Sequence, residues 1–135
     1  MPLLQLKEVG KEFSKVKVLD QIDLTIEEGD IIGIVGESGS GKTTLLNLLT
    51  GFMEPSQGEV LYYSKVTQEP KNLHDNLHKI KKYIGFAPQH NSYYPRLTVK
   101  ENLFHFGQLY GVKHDVLINN IKSLLLFTGL FEERN

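Results

Sequence analysis

A glycine-rich loop at residues 36–43 constrains the fold of this chain more than any other sequence feature. It follows the apolar run at residues 31–35, which is typical of a strand covered on both faces. It precedes residues 42–50, where leucines recur at helical spacing before Gly51, a helix-ending residue. A buried strand, a tight loop and a helix in this order predict an α/β core with a central parallel strand.

The residue types of this loop suit a polyphosphate. Gly36, Gly39 and Gly41 let main-chain N–H groups approach an anion closely, and the start of the following helix adds free donors. Lys42 supplies an ammonium group for the outer phosphates, and the Thr43 hydroxyl can complete a Mg²⁺ shell with phosphate oxygens and water. A chance match is the alternative, but the strand before the loop and the helix after it argue against one. The loop residues predicted to bind Mg-ATP are Gly36, Glu37, Ser38, Gly39, Ser40, Gly41, Lys42, Thr43 and Thr44.

The composition of the chain limits which classes of protein and of binding site are possible. A chain of 135 residues can bury one modest core or be a piece of a larger domain, and 40% apolar with 23% charged residues is typical of a folded protein. The net charge of -1 gives no reason to expect a nucleic-acid partner. The absence of cysteine excludes disulfides and thiolate metal sites. No apolar run approaches the roughly 20 residues that span a bilayer, so we expect a cytoplasmic protein with at most peripheral membrane contact.

The N-terminal region shows the two-residue alternation of β-strands. Leu4 and Leu6 alternate with polar residues, and a second alternating set begins at Val16. A turn at residues 55–58 leads into a predicted strand at residues 59–63. Residues 83–87 are predicted to form one more buried strand, which Pro88 would end. We therefore expect an antiparallel β layer beside the core.

Two helices are predicted in the C-terminal region. Thr98 and Glu101 have the spacing of a capping box, which predicts a helix to about Tyr110. Gly111 would end this helix, and Asp115 would cap the next one. The apolar face expected of the second helix consists of Leu117, Ile121, Leu124, Leu125 and Thr128.

A short surface helix is predicted where Leu73, Leu77 and Ile80 recur at helical spacing. His74 and His78 lie one turn apart in it, as two zinc ligands could. No third ligand is evident, and the neighbouring lysines would repel a cation. A solvated basic face is therefore the better interpretation.

Three motifs resemble the ATP-binding cassette (ABC) ATPases that power membrane transporters. Residues 36–46 are similar to the family's P-loop, or Walker A motif, residues 84–89 to the strand that leads to its glutamine, and residues 97–103 to the start of its helical subdomain. The resemblance implies an α/β fold: a P-loop NTPase core of the ABC type, with an N-terminal antiparallel β layer. Residues 1–87 would belong to the ATP-binding core, including the P-loop strand. Residues 88–135 would form the glutamine loop and the start of the helical subdomain.

The resemblance also implies roles for residues outside the loop. Phe13 falls where the family stacks an aromatic ring on adenine, with Val18 packing alongside; plain core packing is the alternative for Phe13. Gln89 falls where the family places a residue that contacts Mg²⁺ and the attacking water. Lys42 and Gln89 would thus support catalysis, and Thr43 and Gln89 would ligate the metal.

The expected partners follow from the same resemblance. The loop around residues 89–110 would face a membrane-spanning transporter subunit on the cytoplasmic side, with Tyr93, Tyr94 and Pro95 as contact residues. The equally weighted alternative is that these aromatic side chains fold back onto the body of the protein. A second ATP-binding domain would complete a dimer.

Several family motifs are missing from these residues. There is no Leu-Ser-Gly-Gly-Gln signature sequence, and after the loop only Asp75 and Asp115 are aspartates, neither at the end of a strand. The C-terminal half of the domain is therefore expected to lie outside this chain. Since the acidic groups that hold Mg²⁺ and polarise water are absent, we expect ATP binding with turnover near background.

Three other interpretations remain open from the sequence alone. A soluble ABC ATPase acting in translation or DNA repair would use the same cassette with a different partner. A short nucleotide-binding module without catalytic activity would need no further motifs. A P-loop GTPase or kinase would need guanine-reading or lid motifs, which are not found.

Overall fold

The computed structural model describes residues 1–64, 68–90 and 92–132. The chain forms two compact units, Met1–Ile84 and Gly85–Asn135. In the described ranges, every helix is too short or too polar to cross a lipid bilayer.

The first unit is built on a four-stranded antiparallel sheet. Its strands are β1 (Pro2–Phe13), β2 (Val16–Glu27), β3 (Gln57–Tyr63) and β4 (Pro70–Asn72), in the spatial order β2-β1-β3-β4. β1 and β2 form a long hairpin, and β1 also pairs with β3. The expected antiparallel β layer is therefore confirmed, and the short strand β4 is an addition to it.

Helix α1 (Lys42–Leu49) covers this sheet with its apolar side. Leu48 has no exposed surface, and it belongs to the same core as Leu6, Val9 and Val60 of the sheet. Burying each such aliphatic side chain contributes about 1.5–3 kcal/mol before conformational entropy is counted. This packing fixes α1, and with it the loop at its N-terminus, relative to β1 and β3.

The predicted central parallel strand at residues 31–35 and the predicted buried strand at residues 83–87 are not formed. Residues 31–37 are not assigned to any strand, and Ile31 and Val35 are 100% and 93% exposed. Residues 84–88 are likewise unassigned, and Tyr83 is 78% exposed. A strand buried on both faces needs hydrogen-bonded neighbour strands, and neither run belongs to the sheet formed by the described residues. The prediction of a P-loop strand and of a strand at residues 83–87 is therefore wrong for this structure.

The predicted surface helix is reduced to a single turn, α2 (Leu77–Ile80), which continues as a 3₁₀ turn at Lys81–Tyr83. His74 precedes it, and its main-chain N–H donates to Asn72 Oδ1 at 2.9 Å. The His74 Nε2 atom is buried and has no hydrogen-bond partner among the described residues. His74 is thus only partly accessible to solvent, whereas His78 is exposed as predicted.

The partly buried His74 imidazole should make stability depend on pH. Burial lowers the pKa of His74 below its ordinary value of 6.5, and Lys11 lowers it further, against opposing effects of Glu54 and Asp75. The unfolded chain then binds a proton more readily than the folded chain. The contribution of His74 to stability is therefore fully present above pH 6.5 and is lost as the pH falls below it.

Urea unfolding at pH 8.0 and 5.5 tests this expectation. For the wild type, the urea concentration at the unfolding midpoint should be lower at pH 5.5 than at pH 8.0. His74→Gln should reduce that difference. His78→Gln is the matched control, since His78 is exposed and should leave the difference unchanged. An equal pH dependence in wild type and His74→Gln would contradict the assignment.

The second unit contains the two expected helices, α3 (Val99–Leu109) and α4 (His114–Phe127). Their core is formed by Leu117, Ile121 and Leu125 of α4, with Leu103 and Phe104 of α3 packed against it. Two details of the predicted second helix are corrected. Lys113 rather than Asp115 precedes the helix, since Asp115 lies in its first turn, and Leu124 is 48% exposed because it faces away from this core.

The predicted capping box at the start of α3 is confirmed. The main-chain N–H of Glu101 donates to Thr98 Oγ1 at 3.2 Å, and the N–H of Thr98 donates to Glu101 Oε2 at 2.8 Å. The hydrogen bonds from the Thr98 backbone and hydroxyl lower the pKa of Glu101. The reciprocal bonds satisfy donors that a helix start otherwise leaves unpaired.

Candidate functional site

The glycine-rich loop is an exposed segment that bends back towards its own beginning. The N–H of Ser40 donates to the carbonyl of Glu37 at 3.2 Å, and Gly39 and Gly41 have φ of 81° and 91°. A Cβ atom at Gly36 would lie only 2.8 Å from Ser40 Oγ. The loop therefore needs glycine at residues 39 and 41 for its left-handed conformations, whereas a side chain at residue 36 would only require the Ser40 hydroxyl to move.

The start of α1 leaves main-chain donors beside this loop. The N–H of Leu45 donates to the carbonyl of Gly41 at 2.8 Å, so the N–H groups of residues 42–44 come before the hydrogen-bonded ladder of the helix. Thr43 is exposed at this end. Free N–H groups at the positive end of a helix favour an anion.

The Lys42 side chain turns back over the loop. Its Nζ atom donates to the carbonyls of Gly36 and Glu37 at 2.8 and 2.6 Å and lies 3.4 Å from Ser40 Oγ. An ammonium group has three donors, and all three are directed at the loop. The ammonium thus lies over the loop that leads directly into the N-terminus of α1.

The loop is seated against strand β2. A Cβ atom at Gly41 would lie 3.0 Å from Leu19 Cδ2 and 3.1 Å from the Val18 carbonyl oxygen. Val18 is half-buried and packs against the core of the first unit. The structure therefore places Val18, one of the predicted nucleotide-binding residues, directly beside the glycine loop.

Phe13 lies at the end of β1, opposite Val16 of β2. Its side chain is 42% exposed, and Lys11 Nζ lies 5.2 Å from the centre of its ring. Phe13 is not part of the buried core. An exposed ring on the same hairpin as Val18 is compatible with stacking on a base and disfavours plain core packing.

Gln89 belongs to the second unit, whereas the other predicted site residues belong to the first. It lies in a bend and is exposed. The following loop is fixed to α3 by one side chain, since Asn102 Oδ1 accepts from the N–H of Tyr94 at 2.7 Å. Asn102 Nδ2 donates to the carbonyls of Tyr94, Leu97 and Thr98 at 3.0–3.1 Å.

The predicted contact residues of this loop differ in exposure. Tyr94 folds back onto α3, where its ring centre lies 4.9 Å from that of His105 and 6.0 Å from that of Phe106. Tyr93 is 54% exposed, and about half of the Tyr94 side chain also remains accessible. The alternative that these side chains fold back onto the protein therefore holds in part for Tyr94. Both rings keep surface that a partner could contact.

A cavity of about 770 Å³ lies elsewhere in the first unit. It is lined by residues of the sheet and of the α2 region, among them Tyr62, Lys71 and Ile80, and by none of the predicted site residues. A phosphate site need not be a deep cavity, because converging N–H groups and an ammonium supply its binding energy. The exposed loop is therefore the better candidate.

Two residues with defined contacts were not among the predicted site residues. Asn102 follows the capping Thr98 by four positions, a spacing that brings its side chain back to the start of the helix. Lys11 precedes Phe13 by two positions, which places both side chains on one face of β1. These spacings were the available sequence signals.

The comparison with known families agrees with the geometry. The ABC transporter family model matches residues 19–133, a range that includes the glycine loop, α1 and both helices of the second unit. The chain belongs to the ABC transporter family. The loop at residues 36–43 is accordingly the position of this family's P-loop, and the chain is part of an ABC ATP-binding domain.

Individual relatives support the same family. The chain is 38% identical over 128 residues to ATP-binding cassette sub-family A member 6 of Mus musculus, covering 90% of this chain and 8% of that protein. It is 33% identical over 134 residues to the methionine import ATP-binding protein MetN of Clostridioides difficile, covering 98% of this chain and 41% of the relative. The chain thus spans less than half of either relative.

A solved ATP-binding subunit of an ABC transporter has the same fold. It superposes with a TM-score of 0.81 at 22% sequence identity, over 98% of this chain and 52% of the other. At this identity the likeness shows the fold alone. The expected α/β fold of the ABC type is confirmed by this likeness.

Proposed function

We propose that this chain binds Mg-ATP at its P-loop, as part of an ABC ATP-binding protein that drives transport across a membrane. The observation that carries the proposal is the Lys42 ammonium, 2.8 and 2.6 Å from the carbonyls of Gly36 and Glu37 over an exposed glycine loop. The cation lies over the loop, and the unpaired N–H groups of α1 begin where the loop ends. That arrangement suits the outer phosphates of a nucleoside triphosphate.

Binding would proceed by exchange of hydrogen bonds. The Lys42 ammonium gives up carbonyl oxygens of the loop and donates to phosphate oxygens, which carry more negative charge. The N–H groups at residues 42–44 donate to the same anion, and Gly41 keeps the loop close to Val18. Phe13 would stack on the adenine.

The oxygen ligands available beside the loop suit magnesium. Thr43 offers an exposed hydroxyl oxygen at the start of α1, and oxygen is the ligand that Mg²⁺ prefers. No cluster of three or more His, Cys, Asp or Glu able to hold a metal occurs among the described residues. Mg²⁺ would be held by Thr43 together with phosphate oxygens and water, and it would neutralise charge on the phosphates.

The second unit offers surface for a protein partner. The exposed Gln89 precedes a loop that Asn102 fixes to α3, and Tyr93 and Tyr94 retain accessible aromatic surface. We infer that the region 89–110 contacts a membrane-spanning subunit at the cytoplasmic face. A second ATP-binding domain would complete the ATPase.

Calorimetric titration of the 135-residue chain tests the proposal. ATP should bind with Mg²⁺ present and more weakly after chelation by EDTA. Phosphate release should stay near background, because the acidic groups that position water are absent from these residues. Absence of ATP binding would refute the proposed function, and rapid hydrolysis by the purified chain would refute the expectation about turnover.

A further inference from the structure

We propose that Lys11 determines how well this site recognises the nucleobase, because its ammonium occupies one face of the Phe13 ring and leaves the other face for a purine. The proposal rests on the proposed ATP-binding function. It assigns Lys11 as a positioning residue that acts through Phe13.

The position of Lys11 is fixed from two sides. Its Nζ atom lies 5.2 Å from the centre of the Phe13 ring and donates to the carbonyl of Glu54 at 2.7 Å. A surface lysine ordinarily samples many rotamers, whereas two such contacts select one. The ammonium is therefore directed at the ring and at the main chain of the segment after α1.

The end of β1 is fastened to that same segment. The N–H of Ser56 donates to the carbonyl of Gly10 at 2.9 Å, and the N–H of Glu12 donates to Ser56 Oγ at 3.1 Å. Residues 10–12 are thus fixed on both sides of Lys11. The ring of Phe13, one residue further along, is presented from an anchored strand.

The charge on one side of the ring favours stacking on the other. The face of an aromatic ring carries negative potential, which attracts a cation placed over it. A cation on one face also draws electron density from the ring, which reduces repulsion between the opposite face and an electron-rich purine. Phe13 is 42% exposed, so part of the ring is accessible to a base.

Lys11 and Lys42 have separate tasks in this arrangement. The Lys42 ammonium contacts the carbonyls of Gly36 and Glu37 in the P-loop, whereas the Lys11 ammonium contacts Glu54 and Phe13. Loss of the Lys11 charge should therefore weaken the part of the ATP affinity that comes from the base. The part that comes from the phosphates should stay unchanged.

The experiment compares two ligands that differ in the base. ATP and inorganic tripolyphosphate are titrated with Mg²⁺ into wild type, Lys11→Met and Lys11→Arg at pH 8, where His74, whose pKa Lys11 influences, is uncharged. Lys11→Met should weaken ATP binding by about threefold to fivefold, the size expected of an exposed cation–π contact, and leave tripolyphosphate unchanged. Lys11→Arg keeps the cation and should restore ATP affinity.

Two further variants make the result specific. Lys17→Met removes a lysine of β2 whose ammonium pairs with Asp20 at 2.9 Å, and it should alter neither ligand. In a Phe13→Leu background, Lys11→Met should have no further effect on ATP, since the lysine would act through a ring that is gone.

Several results would overturn the role of Lys11. These are unchanged ATP affinity in Lys11→Met, equal weakening of ATP and tripolyphosphate, and a full effect of Lys11→Met in the Phe13→Leu background. Equal weakening with a lowered melting temperature would mean that Lys11 only supports the fold. Failure of the wild-type chain to bind either ligand would instead refute the proposed function.

Discussion

Replacing Lys42 with alanine should reduce the affinity of the chain for Mg-ATP by about tenfold to a hundredfold. A hydrogen bond to a charged group contributes about 1.5–3 kcal/mol, and every 1.4 kcal/mol changes the dissociation constant tenfold. The same substitution removes the contacts from Nζ to the carbonyls of Gly36 and Glu37, so the loop also loses an internal restraint. Calorimetric titration with Mg-ATP measures the change.

Lys17→Ala is the matched control for Lys42→Ala. Lys17 is also a lysine of the first unit, but its ammonium pairs with Asp20 on the surface, where an ion pair contributes about 0–1 kcal/mol. ATP affinity should stay within about twofold of wild type, because the P-loop is untouched. Unchanged affinity in Lys42→Ala would refute the assignment of the loop as the phosphate site.

Features set by neighbouring residues could be predicted from the sequence. The glycine loop, the antiparallel hairpin and the capping box of α3 each depend on spacings of a few residues, and each is present in the structure. Alternation decides which face of a strand is apolar, and Thr98 with Glu101 satisfies the helix start locally. Such patterns need no knowledge of the rest of the fold.

Features set by distant partners could not be predicted in the same way. The run at residues 31–35 has the composition of a buried strand, but strand formation also needs neighbours, and none pairs with it in the part of the chain that the structure describes. The bond from Lys11 to Glu54 joins residues 43 positions apart. β4 has only three residues and begins with Pro70, so no alternation could identify it.

The glycine loop therefore depends on long-range packing for its position, although its residue types are recognisable from local sequence. Gly41 lies against Val18 of β2, and Leu48 of α1 is buried with β1 and β3. If the sheet is distorted, the surface against which α1 and the loop pack changes as well. Gly58, a glycine of β3 whose Cβ position lies against the backbone of β1, is accordingly a position where substitution should affect stability strongly.

Gly58→Ala should destabilise the first unit by about 3–5 kcal/mol, a large fraction of the roughly 5–15 kcal/mol by which domains are stable. Gly58 lies in β3 with φ of 74°, where the register with β1 shifts between Lys7 and Gly10. A Cβ atom there would lie 2.3 Å from the carbonyl oxygens of both Lys7 and Glu8. These are backbone atoms, so one strand must move and the pairing of β1 with β3 is lost locally.

Gly29→Ala is the control that distinguishes the clash at Gly58 from the conformational cost of placing alanine in a left-handed backbone. Gly29 has φ of 91°, but a Cβ atom there would meet nothing within 4 Å, so only the conformational cost of about 1–2 kcal/mol remains. Urea unfolding of both variants should therefore show a much larger loss for Gly58→Ala. Equal losses of unfolding free energy in the two variants would mean that β1 moves away from β3 easily. In that case the ATP affinity of the folded fraction should be unaffected. A large loss for Gly58→Ala alone would show that the pairing of β1 with β3 resists displacement, as expected of the sheet against which α1 packs.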